Sequence, residues 1–92
     1  MSVETRVINL TSSAQVITGE CWIEGFYVNS TTSGTLKLWH GTSGADTGEA
    51  ISDTMTPAAG WHYLGGLHTT AGVYAGIGGT ALNVSIHYKT AN

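Results

Sequence analysis

The sequence predicts a small all-β protein, a single β-sandwich of about eight short antiparallel strands in a jelly-roll-like arrangement. Apolar and polar residues alternate at period two in several segments, whereas no segment repeats apolar residues at helical spacing for more than about a turn. Short segments rich in glycine separate the alternating ones. Short strands at this spacing are typical of a sandwich or barrel, and eight strands in two sheets favour a jelly roll.

Three segments carry the clearest strand pattern, since their apolar side chains fall on one face and their polar side chains on the other. They are residues 35–40, 72–77 and 82–88. In the first of these, Leu36 and Leu38 lie on one side, so Trp39 is predicted to lie on the opposite, outward side. Weaker patterns predict four further strands at residues 5–10, 14–18, 49–55 and 61–64.

The remaining strand, residues 21–29, is apolar at both parities. Ile23 and Tyr27 share one parity, and Trp22 and Phe26 share the other. A strand that is apolar on both faces is covered on both faces. In a thin domain the second cover is a loop or another subunit, which is a first indication of an oligomer.

Polar and glycine-rich segments supply the predicted connections. Residues 29–34 and 41–48 read as loops, residues 57–60 as a turn, and residues 78–80 as a tight hairpin whose positive φ angles need glycine. The eight-strand core can close without residues 1–6, so we expect this segment to be an extended arm. It either adds to a neighbour's sheet edge or folds back on its own subunit.

The length of 92 residues allows one domain, residues 1–92, with a marginal core. Domains of this size are commonly stabilised by disulfides, a metal or oligomerisation. Cys21 is the single cysteine, so no disulfide can form within the chain. We read Cys21 as a small buried apolar residue, which leaves intermolecular pairing as the alternative.

The low charge content narrows the classes of partner. Charged residues make up 10% of the chain, so the surface is largely neutral and loses water at little cost when it packs against protein. A net charge of −3 with three basic residues argues against nucleic acid. The N-terminal segment lacks the features of a secretory signal and no stretch is long and apolar enough for a membrane span, so we expect synthesis in a host cytoplasm and no membrane partner.

The sequence offers no pattern that indicates catalysis, and we expect neither an enzyme nor a cofactor. The thiol of Cys21 has no basic neighbour, no serine nucleophile motif is present, and Glu20 and Glu24 are read as charges on a solvated strand edge. The four histidines show no metal-binding spacing, so no metal is predicted. They are His40, His62, His68 and His87.

Interface positions are therefore the predicted functional residues. An outward tryptophan such as Trp39 is either an interface anchor or a platform for sugar stacking, and its neighbours supply few amides or carboxylates for a sugar. The predicted interface set is Val3, Arg6, Trp22, Phe26 and Trp39.

Three strings then suggest a family. GFYVNSTTSGTL (residues 25–36), TPAAG (56–60) and GVYAGIGGTALNV (72–84) resemble small virion proteins of tailed bacteriophages that decorate or cement the capsid. The resemblance implies a β-sandwich that trimerises on the capsid surface and bridges subunits of the major capsid protein. A phage tail or fibre component is the alternative within the virion, and a carbohydrate-binding adhesion module for a host glycan is the alternative of another class.

Overall fold

A computed structural model of the chain describes residues 4–41 and 49–90. Over these residues the protein is all-β, and its strands form one antiparallel sheet, so the predicted all-β class is confirmed. The strands are β1 (Thr5–Leu10), β2 (Ala14–Thr18), β3 (Cys21–His40), β4 (Gly60–Thr69) and β5 (Gly72–Thr90). No helix in this part of the chain is long and apolar enough to cross a membrane.

Two long strands, β3 and β5, form the centre of the sheet and pair along almost their whole length. The sheet order is β1-β5-β3-β4, and β2 also pairs with β5. Along the outer edge of β5, β2 pairs with its first half and β1 with its second half. Along the other edge of β3, β4 covers the first half, and two isolated bridges, Leu36 to Met55 and Trp39 to Ala50, lie along the second half.

Seven of the eight predicted strands lie within β1 to β5, but the described residues form five strands rather than eight, and two of the predicted connections were wrong. Residues 29–34 and 78–80, predicted as a loop and a hairpin, lie inside β3 and β5. The register between these strands shifts here, and Ser33 and Gly79 have φ angles of 52° and 74°. The local signal for positive φ was real, but it produces bulges in two paired strands rather than chain reversals.

The strand β3 cannot be straight. At about 3.3 Å per residue, its 20 residues would extend about 66 Å. The longest dimension of the molecule is 40 Å. The long pair β3 and β5 therefore bends, and the bulges at residues 30–34 and 79–81 are where its register is interrupted.

A single cluster of side chains forms the core, and both halves of the long strands contribute to it. The members alternate with less buried residues along most of each long strand, which is why period two was visible in the sequence. Those that are fully or almost fully buried are Cys21, Ile23, Phe26, Val28, Leu36, Leu38, Val73, Ala75, Val84 and Ile86. We call the face that carries this cluster the inner face and the opposite one the outer face.

A bulge explains why residues 21–29 appear apolar on both faces. The register shifts between Ile23 and Gly25 with respect to both neighbouring strands. Ile23 and Phe26 are both buried, although they are three residues apart, whereas Tyr27 is 46% exposed. The extra residue reverses the parity, so both apolar sets before and after it face the core. Trp22 and Tyr27 lie on the opposite face, where a cover by another subunit stays a prediction.

Two other predictions concern the edges of the sheet. Thr5 and Arg6 belong to β1, as predicted for residues 5–10, and pair with Lys89 and Tyr88 of the same chain, so this part of the expected arm folds back on its own subunit. The segment predicted as a strand at residues 49–55 makes only the two bridges, with hydrogen bonds between Leu36 and Met55 in both directions at 2.8 and 2.9 Å. Residues 1–3 and 42–48, which include half of the predicted arm and most of the predicted loop, lie outside the described residues.

Candidate binding surface

The outer face of the sheet carries an aromatic surface where β1, β5, β3 and β4 lie side by side. Directly paired residues share a face, so the register defines two adjacent rows. One row contains Asn9, Ser85, Tyr27 and Trp61, and the next contains Val7, His87, Gly25 and Tyr63. Among the described residues, the large apolar side chains that are exposed all belong to these two rows: Val7 55%, Tyr27 46%, Trp61 45% and Tyr63 73%.

A third row extends the same surface. Trp22 pairs with His68 on one side and Lys89 on the other, and Lys89 lies two residues beyond His87 on β5. Trp22 is half-buried because its ring stacks on the imidazole of His68, with the centroids 4.9 Å apart. We call the surface formed by Val7, Trp22, Tyr27, Trp61 and Tyr63 the aromatic face.

Gly25 allows the indole of Trp61 to lie across the strand. A Cβ atom on Gly25 would lie 2.8 and 3.0 Å from two ring carbons of Trp61, and it would overlap the carbonyl oxygen of His62. The same indole contacts the ring of His87 edge-on, with the centroids 5.0 Å apart. Trp61 is therefore held against the sheet while remaining half-exposed, a geometry that lowers the entropy cost of using it in binding.

The charged groups of this surface lie at its Trp22 end. His68 Nε2 lies 2.7 Å from a carboxylate oxygen of Glu20, and Lys89 Nζ lies 3.4 Å from one of Glu24. Glu20 and His68 are nearly half-exposed, so their contact contributes little to stability. Pairing of these charges leaves the centre of the aromatic face neutral.

At the opposite end, three asparagines from β1, β3 and β5 form a ladder. Asn9 and Asn29 each donate from Nδ2 to Asn83 Oδ1, at 2.8 and 3.0 Å. Both also donate to Ser85 Oγ, at 3.2 and 3.0 Å. Because Asn83 Oδ1 accepts from both sides, the orientation of its amide is determined and its Nδ2 is turned away from the ladder.

Beyond the ladder a hollow of about 260 Å³ lies where the long strands bend. Its lining is rich in hydroxyl groups and carries no charge. It consists of Thr11, Ser30, Thr31, Thr32, Thr80, Ala81, Leu82 and Asn83. Thr31 Oγ1 is engaged at the bend, since it accepts from Gly34 N at 3.1 Å and lies 3.4 Å from Ala81 O.

The predicted interface residues are distributed over different parts of the fold. Val3 lies outside the described residues, and Arg6 is exposed on β1. Trp22 belongs to the aromatic face. Phe26 is 2% exposed within the core and stacks on the partly buried ring of His62, so its placement at an interface was wrong.

Trp39 lies on the outer face of the other half of the sheet, opposite Leu36 and Leu38, as the alternation predicted. It pairs with Tyr74 and lies beneath the ammonium group of Lys37, 4.3 Å from the ring centroid. The indole is half-buried, so it is a weaker candidate for a binding anchor than Trp61 or Tyr63.

Cys21 and His62 each contact a polar group of the same chain. Cys21 is fully buried and its Sγ lies 3.5 Å from Thr69 Oγ1. Burial raises the pKa of the Cys21 thiol, and the nearby Glu20 carboxylate adds to the increase while the Thr69 contact opposes it. His62 contacts the carbonyl oxygen of Ala58 at 2.8 Å. Within residues 4–41 and 49–90, no three metal-ligating side chains come together.

Sequence reasoning missed Val7, Tyr27, Trp61 and Tyr63 as a surface, because the rows form between strands far apart in sequence. One local signal was present: Trp61 and Tyr63 alternate with His62 and Leu64 in a strand. This pattern gives two aromatic residues the same face.

In comparison with known proteins, the chain matches no family model, no curated protein and no solved structure.

Proposed function

We propose that this chain is a non-enzymatic virion structural protein of the capsid decoration or cement type, which attaches to the phage head through its aromatic face. The observation that carries the proposal is the concentration of Val7, Tyr27, Trp61 and Tyr63 on one outer face. Tyrosine and tryptophan are the residues that most often anchor protein interfaces. Val7 adds aliphatic area on β1, at the far side of the patch from β4, which suits a broad protein partner.

The proposal includes a jelly-roll-like β-sandwich. The bend divides the pair of strands β3 and β5 into two halves. Each half has one further neighbour on either side, so the sheet consists of two sets of four segments. Full burial of Phe26 in one half and Leu38 in the other requires a cover that an open single layer lacks. Nuclear Overhauser effects between these two side-chain layers would support the sandwich, and their absence would contradict it.

The mechanism of attachment is burial of apolar area. At about 25 cal/mol per Å² of apolar surface, a standard interface repeated over a shell adds substantial cohesion. The neutral centre of the aromatic face assists, because few ionised groups lose water on contact. We propose the major capsid protein as the partner and a trimer as the assembled form.

The trimer proposal depends on the aromatic face, to which residues 21–29 contribute Trp22 and Tyr27. An exposed apolar patch favours association, either between copies or with the shell. Analytical ultracentrifugation at micromolar concentration should give three times the chain mass of 9.6 kDa. A stable species at the chain mass would contradict the trimer in solution.

The attachment test uses particles of a phage whose gene for this chain has been deleted. Purified protein is added, and co-sedimentation gives the affinity of wild type and of Tyr63→Ser, a position chosen because its 73% exposure makes unfolding a minor concern. We expect Tyr63→Ser to bind at least about tenfold more weakly, as a hot-spot residue does. Thr18→Ala, at the exposed last residue of β2, is the matched control and should bind as wild type.

Location on the particle separates the alternatives within the virion. Immunogold labelling of the head supports the decoration role, whereas labelling confined to the tail would replace it with a tail or fibre component. Wild-type binding by both Tyr63→Ser and Tyr27→Ser would refute the aromatic face as the attachment surface.

A further inference from the structure

The asparagine ladder and the adjoining hydroxyl-lined hollow form a second candidate site, which borders the aromatic face at Tyr27. We propose that this site binds a neutral saccharide. The inference goes beyond the proposed function, since it assigns a ligand and a surface that head attachment does not require. It depends on the hydrogen-bonding capacity left over at the ladder.

The ladder presents a fixed set of polar atoms. Asn83 Oδ1 and Ser85 Oγ receive the Nδ2 groups of Asn9 and Asn29, which holds all three amides in place. Within the described part of the chain, Asn83 Nδ2 and the Oδ1 atoms of Asn9 and Asn29 have no protein hydrogen-bond partner. The ladder therefore keeps one amide donor and two amide acceptors for a ligand. Vicinal sugar hydroxyls, each both donor and acceptor, match this pattern.

The hollow adds volume of suitable size and chemistry. About 260 Å³ is room for one sugar ring, and the lining offers hydroxyls from Thr11, Ser30, Thr32 and Thr80. No lining residue is charged, which disfavours phosphate, sulfate or an acidic sugar as the ligand.

An aromatic ring borders the ladder on its other side. Tyr27 pairs with Ser85 across β3 and β5 and is 46% exposed. A ring at this position can pack against the apolar face of a sugar whose hydroxyls reach the amides, which is the combination that saccharide sites use. A saccharide longer than one unit would therefore extend from the hollow across the ladder to Tyr27.

The experiment is a titration followed in two-dimensional amide NMR spectra. The probes are glucose, galactose, mannose and N-acetylglucosamine, followed by an array of immobilised neutral oligosaccharides and by purified host surface polysaccharide. We expect at least one probe to shift the side-chain amide signals of Asn83 and Asn29. The array and polysaccharide arms distinguish a free sugar from a surface glycan as the source.

Variants separate this site from the attachment surface. Asn83→Ala should weaken saccharide binding at least tenfold, and Thr32→Val, which removes one exposed hydroxyl at nearly constant volume, should weaken it without disturbing the ladder. Both should bind particles as wild type. Tyr63→Ser is the reciprocal control, since it should bind the saccharide normally and the particle weakly.

The outcomes are distinct. Absence of any shift at millimolar concentrations of all probes refutes the saccharide site while leaving head attachment untouched. Undiminished saccharide binding by both Asn83→Ala and Thr32→Val shows that the ligand binds elsewhere and also refutes the inference. Loss of particle binding in Tyr63→Ser bears on attachment alone.

Discussion

Replacement of Gly25 by alanine tests the packing that positions the aromatic face. The added Cβ would lie 2.8 and 3.0 Å from ring carbons of Trp61 and would overlap the carbonyl oxygen of His62. The indole can move, but the carbonyl belongs to the paired strand β4 and can move only with that strand. Overpacking of this kind costs about 1–3 kcal/mol, so we expect a loss of about 2 kcal/mol in the free energy of unfolding.

Gly76→Ala is the matched control for this substitution. Neither Gly25 nor Gly76 has a positive φ angle, so both accept alanine in terms of backbone conformation. A Cβ on Gly76 would lie 3.5 Å from Trp39 Nε1 and 3.6 Å from the Lys37 carbonyl oxygen, which are ordinary contacts. Gly76→Ala should therefore be neutral, or stabilising by about 0.4–1 kcal/mol, because it restricts the unfolded chain.

The assay is urea unfolding followed by tryptophan fluorescence and circular dichroism, supported by thermal melts. A loss of about 2 kcal/mol lowers the Tm of a domain of this size by about 8–16 °C. In a Trp61→Ala background the cost of Gly25→Ala should decrease but not vanish, since the overlap with the His62 carbonyl remains. Equal stability of Gly25→Ala and Gly76→Ala would refute the account of how Trp61 is positioned.

Two further predictions concern the core. Cys21 should resist thiol reagents in the folded protein. Because burial raises the pKa of Cys21, the contribution of its protonated thiol to stability is present below the unfolded thiol pKa, near 9.0, and is lost as the pH rises through the folded pKa. Cys21→Ala should therefore lose less stability than wild type as the pH rises above about 9. Leu36→Ala, at a fully buried position, should cost about 2–5 kcal/mol in urea unfolding, whereas Thr32→Val should change the free energy by less than about 0.5 kcal/mol.

Strand positions could be predicted from the sequence because alternation reports local burial. The faces of Leu36, Leu38 and Trp39 follow from period two alone. Residues 21–29 could not be assigned in this way, because one bulged residue reverses the parity. A signal was present in Gly25, since an isolated glycine within a strand often marks a bulge or a close approach. The close approach at Gly25 is made by the indole of Trp61, which lies on another strand.

The local sequence could not distinguish a turn from a bulge at the bend. Ser33 and Gly79 adopt positive φ angles as a hairpin would require, and glycine-rich composition predicts that conformation equally for both. Whether the chain reverses there depends on whether the strands on either side pair with each other or with a distant partner. Here residues 30–36 pair with residues 77–83, so both strands continue through the irregularity.

The candidate sites were even less accessible to sequence reasoning. Asn83 is separated from Asn9 by 74 residues and from Asn29 by 54. Asparagines in a chain rich in threonine and serine carry no distinguishing pattern, and only the register of three strands brings their amides together. The predicted interface residues show the same limit, since Phe26 was placed at an interface in a strand that appears apolar on both faces because of the bulge at Gly25.

A last prediction tests the bend itself, by comparing two glycines that have the same backbone conformation and different surroundings. Gly79 and Gly66 have φ angles of 74° and 77°, so alanine at either position should cost about 1–2 kcal/mol from the left-handed conformation alone. A Cβ on Gly66 meets nothing within 4 Å, whereas one on Gly79 would overlap the Ser33 carbonyl oxygen and lie 3.1 Å from Gly34 Cα. Gly79→Ala should therefore be less stable than Gly66→Ala by a further 1 kcal/mol or more, at about the cost of overpacking. Both variants are measured by urea unfolding against wild type. Equal losses would mean that β3 and β5 do not approach closely at the bend, and the two halves of the core would then need another explanation for their shared burial.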